Sequence, residues 1–140
     1  MGKAVIIAVT GTQVNEFGEV DTQEFITTGT YFLKNGAYFV MYSESEVTGM
    51  AGTATSLKAE PGRVILNRMG ASQHKQVFEH GLRHRGNYIT PYGVFDMSVI
   101  SSKVEVNLTD SGGSINLEYI LEVENQKVSD NRLALSVREV

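Results

Sequence analysis

The chain has no cysteine and no tryptophan in 140 residues, and only two prolines. Without cysteine there can be no disulfide framework, no thiolate metal site and no cysteine nucleophile. This usage fits a reducing compartment. No stretch places apolar residues at helical spacing over ten or more positions, and none is preceded by a helix cap, so little helix is predicted. The N-terminal apolar run, Ala4-Val5-Ile6-Ile7-Ala8-Val9, is shorter than a signal-peptide core and far too short to span a bilayer. A cytoplasmic protein with no membrane partner is the expectation.

What the chain does contain is strand chemistry punctuated by turns. Its length and its 41% apolar content predict one domain, residues 1–140, around one core. Ten segments read as strands: Lys3 to Glu16, Val20 to Lys34, Ala37 to Glu46, Thr53 to Glu60, Arg63 to Met69, Gln73 to His80, Leu82 to Thr90, Gly93 to about Leu108, Ser114 to Glu124 and Arg132 to Val140. Asn35-Gly36 is a type I′ hairpin signal, because both central residues must take positive φ. Pro61-Gly62 occupies the positions that a type II turn favours. In the second segment Phe25, Thr27, Gly29, Tyr31 and Leu33 share one face, and Glu24, Ile26, Thr28, Thr30 and Phe32 share the other; Gly29 suggests a bend or a bulge. Asn125 to Asp130 reads as a polar turn. Ten meandering strands, each with one apolar face, must stack as two sheets or close on themselves, and closure removes exposed edges. The expected fold is all-β, a closed or nearly closed antiparallel up-and-down barrel of about ten strands.

The stretch Tyr88-Ile89-Thr90-Pro91-Tyr92-Gly93 breaks the strand run with a proline and a glycine two residues apart. Proline donates nothing to a sheet ladder, so it belongs at a strand end, an edge or a bulge. Flanked by tyrosines and a threonine, this break can either present polar groups at a barrel mouth or simply end a strand.

Several elements of this sequence resemble one known family. They are Tyr42-Ser43-Glu44, Thr48-Gly49, Thr53 to Lys58, Arg68-Met69-Gly70, Phe78-Glu79, the Tyr88 to Gly93 stretch, Gly113-Ser114-Ile115 with Leu117 and Tyr119, and Asn131-Arg132-Leu133. Together they resemble the YwiB-like bacterial proteins, a family of uncharacterised function, over about Lys3 to Glu139. The resemblance implies a calycin-like β-barrel, the class of lipocalins and fatty-acid-binding proteins. The signatures of those ligand carriers are missing. There is no Gly-x-Trp start, Arg138 is followed by Glu139-Val140 where an Arg-x-Tyr would stand, and the first two strands leave no room for a helical lid.

Alternation points to one candidate site. Arg68 shares a face with Val64 and Leu66, and Tyr42 and Glu44 share a face with Tyr38 and Val40. If both faces point inward, an arginine, a glutamate and a tyrosine lie inside the barrel. An inward charge must be paired and hydrogen-bonded, which predicts an Arg68–Glu44 pair with Tyr42, Gln76, Tyr88 and Thr90 as polar partners. The pair serves either as a plug or as a ligand site, and a one-residue slip would put it in solvent. His74, His80 and His84 crowd into eleven residues without a carboxylate at matching spacing, so no metal site and no cofactor is predicted. Asp96 and Glu105 stand nine residues apart, and Ser98, Ser101 and Ser102 lack a nucleophile elbow. No catalytic constellation is recognisable, and an enzyme is not expected.

Two functions remain. The first is a barrel that binds a small anionic or amphipathic molecule through Arg68. The second is an interaction module for RNA or a protein partner. Its basis is the 58–85 region, where six bases face two acids and give +4 against −8 for the remainder of a chain of net charge −4.

Overall fold

The computed structural model describes residues 2–43, 52–70 and 73–140. Ten strands follow one another: β1 (Lys3–Asn15), β2 (Val20–Lys34), β3 (Ala37–Ser43), β4 (Ala54–Glu60), β5 (Arg63–Met69), β6 (Gln73–Glu79), β7 (Arg83–Thr90), β8 (Gly93–Thr109), β9 (Gly112–Val123) and β10 (Gln126–Glu139). Each pairs antiparallel with its neighbours in sequence, and β1 also pairs with β10 from Val5↔Glu139 to Asn15↔Ser129. The result is a closed antiparallel barrel, as the turn spacing predicts. No described helix is long and apolar enough to cross a membrane.

The turns work as their residues dictate. Asn35 (φ 53°) and Gly36 (φ 80°) both lie in the left-handed region, as a type I′ turn requires. Glu124 (φ 52°) and Asn125 (φ 65°) do the same, and here the structure corrects the sequence reading. The polar stretch 125–130 is not a long turn. The chain reverses within two residues, β10 starts at Gln126, and a register shift between Lys127 and Ser129 absorbs the extra residue. Polar composition misled because Lys127 and Asp130 face water as an ion pair at 2.9 Å. The end of the predicted third strand, Glu44 to Glu46, lies outside the described residues.

Inward side chains fill the barrel. Val5 and Ile7 of β1, Val40, Leu57, Val64, Leu66, Phe78, Ile115 and Leu117 are all at most 1% exposed. Phe78 of β6 reaches Tyr119 of β9, with ring centroids 4.7 Å apart, so the interior below the mouth is packed through from wall to wall. The end carrying the Asn35-Gly36 and Pro61-Gly62 turns is sealed by Tyr31 stacked on Tyr38 at 5.3 Å. The Tyr31 hydroxyl donates to the Thr109 carbonyl (2.6 Å), and that of Tyr38 to Asp110 Oδ1 (2.9 Å). Burial, with the Tyr38 and Asp110 charges behind it, raises the Tyr31 phenol well above its ordinary value, so it stays protonated as the donor.

Gly29 causes no bulge. Its ladder with β1 is continuous through Val5↔Gly29. What the missing side chain permits is close approach, because a Cβ there would collide with the Met41 carbonyl and Ile7 Cδ1 and sit 3.2 Å from Tyr42 Cβ. Gly29→Ala therefore forces two strands apart and should cost on the order of 1–3 kcal/mol. Urea unfolding measures it, and a loss below about 0.5 kcal/mol, the size of an ordinary surface change, would contradict this packing.

Candidate functional site

The candidate site follows from the ladder register. Directly opposed residues point to the same face of a sheet, and the chain of pairs Tyr42↔Thr55, Thr55↔Arg68, Arg68↔His74 and His74↔Tyr88 crosses β3 to β7 without a break. The row extends to Phe95 on β8. Strands of a barrel tilt to its axis, so a row perpendicular to them climbs from one end to the other. Burial records the climb: Tyr42 and Thr55 are 6% and 2% exposed, whereas Phe95 is 37% exposed. Arg68 stands midway, where core gives way to mouth.

At this height a recess of about 160 Å³ opens beside β1, β2 and β10. Arg68, Tyr42, Phe25, Tyr119, Gln13, Gln23 and Asn131 line it, with Asp21 and Arg132 at its edge. The Phe25 and Tyr42 rings lie 6.0 Å apart. Burial raises the Tyr119 phenol, against a lowering pull from the Arg68 charge, so Tyr119 offers a neutral hydroxyl. The Asn131 amide donates to Ser129 Oγ at 2.8 Å, which fixes its orientation.

Arg68 Nη1 lies 3.2 Å from His74 Nε2. Burial, then the Arg68 charge, lowers the His74 pKa to about 4, so its imidazole is neutral at pH 7 and Nε2 can accept from the guanidinium. The proton then sits on Nδ1, which is buried without a hydrogen-bond partner among the described residues. The ring is further held edge-on to Tyr88 at 5.1 Å. This contact accounts for one of the three clustered histidines. His84 meets Glu79 at 3.0 Å across the β6–β7 gap, and among the described residues no His, Asp or Glu cluster could hold a metal.

Of the six residues singled out from the sequence, the structure brings Arg68 and Tyr42 to the recess. Gln76 is buried lower, donating to the Met97 sulfur at 3.7 Å. Tyr88 stands higher on the row, behind His74. Thr90 is spent on its own turn: its hydroxyl accepts from the Tyr92 amide (3.1 Å) and donates to the Gly93 carbonyl (3.0 Å). The 88–93 stretch is therefore an ordinary hairpin end, with Tyr92 93% exposed. Glu44 lies outside the described residues. His74, Thr55 and Tyr119 were missed. The first two were legible, since the Pro61-Gly62 turn sets Thr55 opposite Arg68 and the next antiparallel pairing sets Arg68 opposite His74; Tyr119 comes from a distant strand.

The model of the domain of unknown function DUF1934 matches residues 7–135. The chain belongs to the DUF1934 family. This DUF1934 chain is 25% identical over 114 residues to the uncharacterized beta-barrel protein YwiB of Bacillus subtilis (strain 168), covering 81% of this chain and 79% of that protein. The crystal structure of YwiB from Bacillus subtilis matches with a TM-score of 0.88 at 19% identity, over 99% of this chain and 93% of its own. At that identity the likeness carries the fold, and a YwiB-like barrel is what the DUF1934 chain forms.

His74 gives the site a pH signature. Its folded pKa lies below the unfolded value of about 6.5, so the stability it contributes is complete above that value and falls away as pH drops toward about 4. Imidazole NMR should show a His74 midpoint near 4, and Arg68→Met should move it upward by removing the neighbouring cation. A midpoint at or above the ordinary histidine value would remove His74 from this contact.

Proposed function

We propose that this barrel binds a small anionic molecule in its mouth recess, with Arg68 as the anchor. The observation that carries the reading is a guanidinium placed in an open recess walled by neutral hydrogen-bonding side chains. Among the described lining residues the bases Arg68 and Arg132 outnumber the single acid Asp21, in a chain of net charge −4. A guanidinium carries five donors in a rigid fork, so it can hold several partners at once and grip a carboxylate or phosphate with two parallel bonds. Tyr42 and Tyr119 add hydroxyls, and Phe25 supplies an apolar wall.

Volume limits the ligand. Pockets for drug-sized molecules run from about 300 to 1,000 Å³, against about 160 Å³ here, room for roughly five waters at about 30 Å³ each. Below the recess the axis is occupied by core side chains, so an acyl chain has nowhere to go. The calycin likeness supports ligand binding only by analogy of fold. A compact carboxylate or phosphate suits the recess better than the amphipathic alternative.

Binding of RNA or a protein through the 58–85 region draws less support. Arg63 lies 3.2 Å from Glu60 and Arg83 pairs with Glu122 from outside the region, so two of its six bases are met by acids beside them.

Isothermal titration with inorganic phosphate, acetate and malonate tests the proposal. At least one should bind the parent protein. Arg68→Met, shown folded by circular dichroism, should weaken that ligand at least about tenfold, or ~1.4 kcal/mol, and Arg68→Lys should recover part of the loss by restoring charge without the fork. Binding indifferent to Arg68, or none at millimolar ligand, would remove the function.

A further inference from the structure

The outer surface of the barrel is divided. Across β8 to β10 it carries ion pairs, with Lys103 at 3.5 Å from Glu105 and 3.6 Å from Glu118. Across β1 to β3 the described outward positions from Ile26 to Phe32 of β2, with those paired beside them, carry no charge, and Lys58 of β4 reaches over the Phe39 ring at 6.0 Å. Ile26 is 72% exposed and Met41 44% exposed on this face, Phe32 and Phe39 stack on it at 5.0 Å, and Ile6 stands directly opposite Thr28. An antiparallel sheet facing water normally alternates apolar inward with polar outward. Here the outside is apolar or threonine.

After Val20 and Thr22, the outward residues along β2 are Glu24, Ile26, Thr28, Thr30, Phe32 and Lys34. The order is acid, apolar, threonine, threonine, apolar, base. It is symmetric in character about Gly29 and opposite in charge at its two ends. Two such strands laid antiparallel, face to face, set Glu24 of each copy against Lys34 of the other, Ile26 against Phe32 and Thr28 against Thr30. A twofold axis at Gly29 generates both halves at once, as an isologous interface requires.

We propose that this face is a dimerisation surface whose occupant is a second copy of the same chain. The charge pattern selects that occupant. A chain of net charge −4 repels its own copies over most of its surface, yet this strip presents no like charge to itself and ends in complementary ones. A strongly charged partner would find nothing in its centre to pair with.

Size sets the strength. With a rise of about 3.4 Å per residue and strands about 4.8 Å apart, the strip across β1 to β3 measures roughly 34 by 15 Å, on the order of 500 Å² per copy. A standard stable interface takes about 800 Å² from each partner. The dimer is therefore weak and concentration-dependent, and it is independent of the mouth recess, which lies inside the barrel end.

Sedimentation equilibrium from about 10 µM to 1 mM protein in low salt tests this, the range where a small interface of this kind is populated. The parent protein should pass from monomer to dimer. Glu24→Lys and Lys34→Glu alone should each raise Kd at least about fivefold, by setting like charges against each other twice, and the double exchange should restore the parent value. Ile26→Asp, an exposed change checked for folding by circular dichroism, should leave only monomer. A monomer at every concentration overturns the proposal and leaves the face to a lipid surface or a different protein. A dimer that ignores the charge exchanges overturns it as well, because it must use another face.

Discussion

Everything in this fold hangs on β1, which is hydrogen-bonded along most of its length to β2 on one side and to β10 on the other. That double pairing joins the two ends of the chain and closes the sheet. Closure removes the exposed edges that would otherwise template aggregation, and it defines an inside. With the inside defined, strict alternation assigns a face to every residue, from the buried Val5, Ile7 and Val9 of β1 to the outward Ala4, Ile6 and Ala8. A one-residue slip between β1 and β10 would reverse them all. The register of a single strand pair thus underlies both the core and the surface.

Arg68 shows how the same rule places a functional group. Its parity with Val64 and Leu66 puts it inside, and the tilt of the strands puts it where the row from Tyr42 to Phe95 leaves the core. No special loop is needed to expose the guanidinium. The cost of a half-buried cation is met partly by His74, which burial and the Arg68 charge keep neutral. A charged imidazole there would repel the guanidinium that a neutral one accepts from.

Much of this was legible in the sequence. Turn residues located the strands because Asn-Gly and Pro-Gly have few other uses between apolar runs, and parity found the inward Arg68 and Tyr42. What failed was height along the barrel axis. Tyr88 and Thr90, expected as polar partners of Arg68, share the parity of its row but stand too near the rim, and parity says nothing about tilt or shear. Tyr119 and Asn131 were out of reach for another reason, since they come from strands far from β5 in sequence and meet it only through closure. The 125–130 stretch misled because an exposed strand and a turn share polar composition, and two positive-φ residues sufficed to reverse the chain. On the outside, the uncharged stretch of the β2 row from Ile26 to Phe32 was present in the alternation from the start, but only the closed barrel shows that β1 and β3 extend it into a surface.

The central claim is that the guanidinium of Arg68, at the core's upper boundary, makes the mouth the ligand-binding end. Amide chemical-shift mapping during titration with a small carboxylate or phosphate addresses it most directly. The account predicts that shifts concentrate where β1, β2, β3, β5, β9 and β10 meet at the mouth, at Gly11, Gln13, Gln23, Tyr42, Arg68 and Asn131. Shifts centred instead on the outer basic positions Lys75 and Arg85, or at the tyrosine-sealed end around Tyr38 and Asp110, would contradict it.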